Sequence, residues 1–320
     1  MGRMKIGMFK NSDLGILYSE VRDESNSQGV LGIDGTFRTR ELQLSSQIAR
    51  SDSGYAELAK LDWYAPKFIV TGKYENYDQN FDIERIGYAP WKGVTEYYLS
   101  VGPQFFNIGP FYTLTTGVGS GRRKEADEPS WGYWINGWFS PEFKNNCGGS
   151  SYFYKGKSYE MNRWYEYYQT TISFWSDNRK VFVISGNVWY KSYGFNYRRE
   201  YFASMGTNDL YLDWKVNPSL TLSFNLSNTL EWEPDGDLEE LSWVLRPTLQ
   251  YALSKDFHLR VYSEPNTDTH IHQFNVLLSY NFRPKSWFYL ALNETRNNTE
   301  GKMSPKDRII VAKLRYLFFL

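Results

Sequence analysis

Apolar and polar residues alternate in many short segments of the chain, most clearly in LTLSFNLSNT at residues 220–229. The even positions from Leu220 to Leu226 are apolar, and the odd positions between them, such as Ser223 and Asn225, are small and polar. Because successive side chains of a strand point to opposite faces, this segment is predicted to be a strand with one apolar and one polar face. The same period of two recurs along the chain, whereas helical periodicity is almost absent.

Counting these segments predicts about 18 strands, with about 14 to 20 as the range, in one domain over residues 1–320. Short turns are predicted from Pro, Asn, Asp and Ser at 176–180, 216–219, 253–256 and 283–286. Longer polar segments, predicted to be loops, alternate with these turns at 191–200, 230–241, 263–273 and 293–307. Outer-membrane barrels alternate in this way, with short turns on the periplasmic side and long loops outside.

An apolar strand face can meet either lipid or the core of a soluble β-sandwich. Lipid is favoured because apolar faces recur over nearly the whole chain, while the other faces are rich in Ser, Thr, Asn, Gln and Tyr. Aromatic residues are 18% of the chain and crowd predicted strand ends, as do Trp63, Trp189 and Trp287, where interfacial girdles would lie. The fold class is therefore predicted to be all-β, a transmembrane antiparallel up-and-down β-barrel. Aromatic residues packed in an ordinary core are the alternative.

The balance of charge and hydropathy narrows the class of protein further. The 36 basic and 36 acidic residues give a formal charge of zero, so charge offers no argument for nucleic acid as a partner. The mean hydropathy is −0.57, and the longest apolar runs cover only a few residues. Because a transmembrane helix needs about 20 apolar residues, a helical membrane span is excluded.

The last ten residues, VAKLRYLFFL, form an apolar stripe along one predicted strand face. The stripe consists of Ala312, Leu314, Tyr316, Phe318 and Leu320, and Lys313 and Arg315 point the other way. This pattern resembles the carboxy-terminal assembly signal of bacterial outer-membrane barrels, which implies the barrel-assembly machinery as a partner. Those barrels most often end in Phe, whereas the residue here is Leu320.

Six blocks, among them LGIDGTFRT, NFDIERIGYAP and DRIIVAKLRYLF, lie at 31–39, 80–90, 210–227, 245–268, 274–294 and 307–318. Taken in order, they resemble a family of outer-membrane barrel domains of unknown function. In that family the barrel usually follows a module similar to the family 9 carbohydrate-binding modules. The resemblance implies an outer-membrane, carbohydrate-associated barrel with no catalytic residues to assign. It also implies that the module and the first strands of the family are absent from this chain.

Sequence motifs for catalysis are not found. No HExxH, GxSxG, Walker or dinucleotide-binding fingerprint occurs, so the protein is not expected to be an enzyme. The glycine-rich segment GVGSG at 117–121 opens no predicted helix and is interpreted as a flexible loop or a strand end.

Two segments offer weak candidate metal ligands, and no cofactor is otherwise expected. The predicted outer loop EPDGDLEE at 233–240 carries Asp235, Asp237 and Glu239, whose oxygens suit Ca²⁺, although a solvated acidic loop is the alternative. His270 and His272 are predicted to share one strand face, with no third ligand evident.

Charged residues on the polar strand faces are predicted to line a lumen and to bias ion selectivity. These residues are Lys73, Asp213, Lys215, Arg246, Arg260, Lys313 and Arg315. The alternative is that they pair across strands and only stabilise the wall.

The sequence as a whole predicts a β-barrel of the bacterial outer membrane, in contact with outer-membrane lipid. The leading function is a porin-like channel or uptake component for small hydrophilic solutes, with oligosaccharides among the candidates. The competing function is a plugged, non-conducting anchor whose extracellular loops, or a missing module, bind a ligand or partner protein. Such a plug would need an inward-folded loop, and residues 78–94 are the candidate.

Overall fold

The computed structural model describes residues 1–23, 27–87, 92–299 and 302–318. These residues form nineteen antiparallel strands in up-and-down order, and none of them is helical. No helix long and apolar enough to cross a membrane occurs among them. The chain divides into two compact units, so the prediction of one domain over residues 1–320 stays a prediction.

The first unit comprises residues 1–142 and 151–169. Its strands are β1 (Gly2–Met8), β2 (Ser12–Arg22), β3 (Ser27–Arg38), β4 (Leu42–Ser51), β5 (Tyr55–Ala65), β6 (Phe68–Tyr77), β7 (Val94–Phe106) and β8 (Phe111–Glu125). Three further strands, β9 (Gly132–Phe143), β10 (Gly148–Glu160) and β11 (Arg163–Trp175), have residues in both units. The apolar face of the first unit is open, since Ile16 of β2 lies opposite Met4 of β1 and Ile33 of β3 and all three are exposed.

The second unit comprises residues 143–150 and 170–320. Its strands are β12 (Phe182–Asn196), β13 (Tyr201–Asn217), β14 (Leu220–Trp232), β15 (Leu238–Ala252), β16 (Phe257–Pro265), β17 (Ile271–Arg283), β18 (Ser286–Thr299) and β19 (Lys302–Arg315).

One continuous row of apolar side chains crosses all eight of these strands. Successive partners in the row are Phe182, Trp214, Leu222, Leu249, Val261, Val276, Leu292 and Ile310. Directly opposed residues of neighbouring strands lie on the same face, so the row continues the apolar face of the 220–229 segment. Ser223 lies on the other face, opposite Asp213 and Thr248. The structure therefore sorts this segment into the two faces that its alternation predicts.

The alternation predicts strand centres that all fall inside strands, and one strand is additional. The predicted centres lie near residues 17, 33, 45, 59, 71, 99, 115, 135, 154, 171, 186, 207, 225, 247, 261, 278, 290 and 314. The additional strand is β1, which pairs with β2 from Gly2 opposite Tyr18 to Met8 opposite Ser12. The difference arises because β1 has only 7 residues, too few to show a separate alternating segment. Nineteen strands lie within the predicted range.

The four long loops predicted from polarity are wrong for most of their length. The connections in the second unit that fall in these segments are only 197–200, 233–237 and 266–270, and the tip of the fourth predicted loop lies outside the described residues. The backbone ladders continue into the polar segments, for example from Thr207 opposite Thr229 to Met205 opposite Glu231. Polar side chains show where a strand leaves an apolar environment, but they do not end it. A strand ends where its backbone N–H and C=O groups no longer pair with a neighbouring strand.

The two-face arrangement of β14 can be measured with spin labels at positions 222, 223, 224 and 225, in a Cys147→Ser background. Oxygen is more soluble in lipid than in water, so labels at 222 and 224 should collide with it more often than labels at 223 and 225. Power-saturation electron paramagnetic resonance in lipid bilayers gives the collision rates. Higher oxygen access at 223 and 225 would show that the faces are assigned the wrong way round.

Candidate functional site

The predicted lumen residues of the second unit all lie on the polar face, which is the face opposite the apolar row. The register places Lys215, Thr221, Gln250 and Arg260 in one line across β13 to β16. Asp213, Arg246, Lys313 and Arg315 lie opposite Ser223, Asn225, Tyr289 and Trp287 on this same face. In the first unit, Lys73 of β6 lies opposite Lys60 and Tyr98.

Two of these charges are paired with carboxylates, and a third accepts a hydrogen bond, on their own face. The Nζ of Lys73 lies 3.0 Å from a carboxylate oxygen of Glu75 and 2.9 Å from one of Glu96. The Nε of Arg246 donates to Glu264 at 2.8 Å. Ser223 donates through its hydroxyl to the carboxylate of Asp213. The alternative of cross-strand pairing therefore describes Lys73 and Arg246, and these pairs leave the face polar.

Arg260 lies at a cavity on the polar face of the second unit. It forms no ion pair with any of the described residues. Its side chain lines a cavity of about 330 Å³ together with Thr221, Gln250, His258 and Ser279. This polar cavity offers a guanidinium and several hydroxyl and amide groups to a hydrophilic solute.

The segment at 78–87 folds back over the polar face of the first unit. Phe81 is only 2% exposed and packs with Val30 of β3 and Ala56 of β5. Ile83 and Ile86 pack against the same cluster. A cavity of about 360 Å³ lies beneath the segment, lined mainly by apolar residues. The described part of the predicted plug segment is therefore a packed element.

Polar contacts fix the segment at both ends. The hydroxyl of Ser53 donates to the carbonyl oxygen of Asn80 at 2.6 Å, and the N–H of Arg85 donates to Oε1 of Gln28 at 2.9 Å. The guanidinium of Arg85 also pairs with Asp23. Gly54 permits the close approach, because a Cβ at that position would overlap the backbone of Phe81.

Lys92, which precedes β7, forms ion pairs with two acidic residues of the segment that follows β6. The Nζ of Lys92 lies 2.8 Å from Glu84 and 3.4 Å from Asp82. The N–H of Glu84, followed by Lys92, lowers the pKa of Asp82, and Glu84 raises the pKa of Lys92. Asp82 and Lys92 are therefore both charged at neutral pH. The contribution of Asp82 to the free energy of unfolding is lost only as the pH falls through its lowered pKa.

A strip of aromatic side chains lies on the polar face of β7 to β11. Tyr98 stacks on Trp134 with a centroid distance of 6.3 Å and an interplanar angle of 14°. Trp134 and Trp138 cover Gly121 and Gly117, where any Cβ would overlap the indole rings. Tyr154 and Tyr167 continue the strip on β10 and β11. The rings are half-buried, so one face of the strip stays accessible.

The aromatic strip was missed by sequence reasoning. The GVGSG segment is the interior of β8, so its interpretation as a flexible loop or a strand end is wrong. The spacing of two between Gly117, Gly119 and Gly121 matches the spacing of two between Trp134 and Trp138 through Asn136. Glycines at every second position of a strand signal that large side chains of a neighbour cross above it. Asn136 is buried at 3% exposure, and its Oδ1 accepts no hydrogen bond from the described residues.

One of the predicted calcium ligands, Glu239, lies beside an arginine. The Nη1 of Arg199 is 3.1 Å from Oε1 of Glu239, and its Nε donates to Glu231 at 2.9 Å. A hydrogen bond with Glu239 raises the pKa of Glu233. Asp235 accepts a hydrogen bond from the N–H of Asp237, and no group of three potential ligands converges among the described residues. The calcium hypothesis stays a prediction.

The histidine pair is not arranged as predicted. His270 precedes β17 and has a left-handed φ of 54°, whereas His272 is in the strand with its Nε2 2.7 Å from Oγ of Ser263. The expectation that both share a strand face is wrong, because the strict alternation of faces begins only after His270.

The carboxy-terminal stripe is exposed on the apolar face. Leu314 is 66% exposed and lies opposite Phe288 of β18. Tyr316 and Phe318 follow the end of β19, with ring centroids 4.5 Å apart. Leu320 lies outside the described residues. The assembly-signal interpretation stays a prediction.

Comparisons with known proteins identify the fold but no relative by sequence. No family model and no curated protein matches the chain. A ferric enterobactin receptor mutant of Pseudomonas aeruginosa, PfeA, solved with enterobactin, has a TM-score of 0.52 at 10% identity, over 97% of this chain and 69% of that one. PfeA with BCV-L6 has a TM-score of 0.52 at 9% identity, over 98% of this chain and 70% of that one. The siderophore receptor PirA of Acinetobacter baumannii has a TM-score of 0.50 at 9% identity, over 97% of this chain and 69% of that one.

These structures are outer-membrane receptor barrels. The likeness confirms the predicted fold class, an all-β antiparallel barrel, and the predicted location in the bacterial outer membrane.

The docking of the 78–87 segment can be tested with Phe81→Ala. Removing a buried phenylalanine ring costs about 3–5 kcal/mol, so the segment should be released locally while the strands stay intact. Hydrogen–deuterium exchange should then accelerate at 78–87 and remain unchanged in β3 and β5. Phe153→Ala is the matched control, since Phe153 is 53% exposed. Unchanged exchange at 78–87 would show that the ring does not hold the segment.

Proposed function

We propose that this protein is an outer-membrane uptake component for small hydrophilic solutes, with porin-like passage along its polar face. The observation that carries the proposal is the separation of the two strand faces. In the second unit an uninterrupted apolar row across eight strands is backed by a face that bears Asp213, Lys215, Arg246 and Arg260. A face with charged and hydroxyl groups suits water and polar solutes, and the apolar row suits lipid.

The structural neighbours support the same class of partner. The enterobactin receptor was solved in complex with enterobactin, and PirA is a siderophore receptor. Small solutes are thus bound by proteins of this fold, although identities of about 10% leave the particular solute open.

The aromatic strip favours oligosaccharides among the possible solutes. Binding sites for organic ligands combine aromatic surface with a few polar groups, and sugar rings present C–H groups on one face and hydroxyls at the rim. Tyr98, Trp134 and Trp138 offer such a surface next to Ser100 and Asn136 of the same face. The resemblance to barrels found with carbohydrate-binding-like modules supports the same class.

A plugged, non-conducting anchor is the second candidate, and the packed 78–87 segment favours it. Phe81 and its neighbours occupy the polar face of β3 to β5, as a plug would. The outer loops, or a separate module, would then bind the ligand or partner protein.

Single-channel recording in planar bilayers separates the two functions. Uptake through an open lumen predicts steady steps on the order of those of porins with about 16–18 strands. Phe81→Ala should give larger steps, because it releases a segment from the polar face, and Phe153→Ala should not. Stable insertion with no steps in either the native protein or Phe81→Ala would contradict passage and favour the anchor.

The solute class can be tested with a neutral linear oligosaccharide added to the conducting protein. Trp134→Ala and Trp138→Ala should each weaken current block by about tenfold, as expected for a loss of ~1.4 kcal/mol of ring contact. Trp214→Ala is the control, because Trp214 belongs to the apolar row. Equal block by all three variants would exclude the strip as the sugar-binding surface.

A further inference from the structure

Two basic residues of β8 emerge on the apolar face of the first unit. Arg122 lies opposite Tyr97, which is 49% exposed beside the equally outward Leu99, and Lys124 lies opposite Thr95. The polar face carries the alternate residues, among them Gly121 beneath Trp134. Arg122 and Lys124 therefore point towards the lipid side, within the last four residues of β8.

Two lysines of β10 emerge on the same side and lie over aromatic rings of β11. The Nζ of Lys155 is 5.4 Å from the ring centroid of Tyr168, and the Nζ of Lys157 is 5.2 Å from that of Trp164. Gly156 between them is buried against Tyr167 on the polar face. The outward direction of the lysines is confirmed by Tyr168, which is 58% exposed.

Strand β9 brings these two pairs of cations together. A Cβ at Gly132 would lie 2.9 Å from the carbonyl oxygen of Lys157 and 3.5 Å from that of Arg123. Lys157 and the end of β8 are therefore separated by a single strand. Tyr133, an outward residue of that strand, is 38% exposed on the same side. We call Arg122, Lys124, Lys155 and Lys157, with these aromatic rings, the basic–aromatic patch.

The charge of the patch is not balanced by acidic side chains. Among the described residues, Arg122, Lys124 and Lys157 form no ion pair, and Glu166 is the acid that approaches Lys155. Although Arg50 of β4 is a single exposed cation, some cations elsewhere on the apolar face have acidic partners, as Arg22 has in Glu20. Arg296 and Arg308 likewise share Glu294. A group of four cations on the lipid side without a matching set of acids is thus found on β8 and β10.

The position of the patch along the strands places it at the headgroup level. Strands β6, β8 and β10 run in the same direction, so the patch lies at the edge where β6 ends and the 78–87 segment begins. Long connections of outer-membrane barrels face outside, and aromatic residues mark the level where acyl chains meet headgroups. Arginine and lysine at that level meet the phosphates of the outer leaflet.

We propose that the basic–aromatic patch is a binding site for the phosphorylated glycolipid of the outer leaflet. The four cations bind its phosphate groups, and the aromatic rings contact the sugar headgroup and the first carbons of the acyl chains. Charge complementarity selects this occupant over a neutral lipid, since desolvated cations at the membrane interface need an anionic partner. The site requires only the fold and its orientation, so it stands whether the protein conducts or is plugged.

The test uses the full-length protein refolded with either phosphorylated or dephosphorylated lipid A. Native mass spectrometry should show retention of the phosphorylated form by the native protein, and about tenfold weaker retention by the double variant Arg122→Gln/Lys157→Gln. Arg50→Gln is the matched control, because Arg50 is a single exposed cation on the apolar face of β4. Lys155→Arg/Lys157→Arg keeps the charge and should retain the lipid.

Two results would overturn the proposal. Equal retention of phosphorylated and dephosphorylated lipid A by the native protein would show that the cations are solvated and do not bind the phosphate groups. Retention by the double variant that equals the Arg50→Gln control would show that the lipid binds elsewhere. Heat-dependent gel mobility of each variant confirms that the barrel is folded, so a loss of retention cannot be attributed to misfolding.

Discussion

Backbone hydrogen bonding in a medium without water is the constraint on which the rest of this structure depends. Each strand that crosses the hydrocarbon must pair its N–H and C=O groups with a neighbouring strand, because an unpaired group there costs on the order of several kcal/mol. The ladders from β12 to β19 meet this requirement with only local register shifts. Once the ladders exist, the alternation of side chains divides every strand into a lipid side and a polar side.

Glycines on the polar side leave space in which large neighbouring groups pack. Gly117 and Gly121 remove side chains from β8, and the indoles of Trp138 and Trp134 occupy the space. Gly54 does the same for the backbone at Phe81. In both places a missing Cβ lets a large group lie close to the wall, so the interior surface is built by neighbours as much as by the strand itself.

Charges are handled differently on the two sides. On the polar side Lys73 and Arg246 have carboxylate partners at 2.8–3.0 Å, which stabilise the wall without removing its polarity. On the lipid side the cations of β8 and β10 lie among aromatic rings without a matching set of acids. The same residue types therefore act as cross-strand braces in one environment and as an exposed cationic surface in the other.

The sequence by itself determined the strands and their faces. The alternation of side chains along a strand is a local property and does not depend on which strand pairs with it. That is why the residues from Leu220 to Leu226 sort as their alternation predicts. The ends of the strands, the docking of Phe81 and the meeting of Gly121 with Trp134 were decided by the tertiary structure. Each depends on which residue lies opposite on a neighbouring strand, and register between distant segments is not encoded in the pattern of either one.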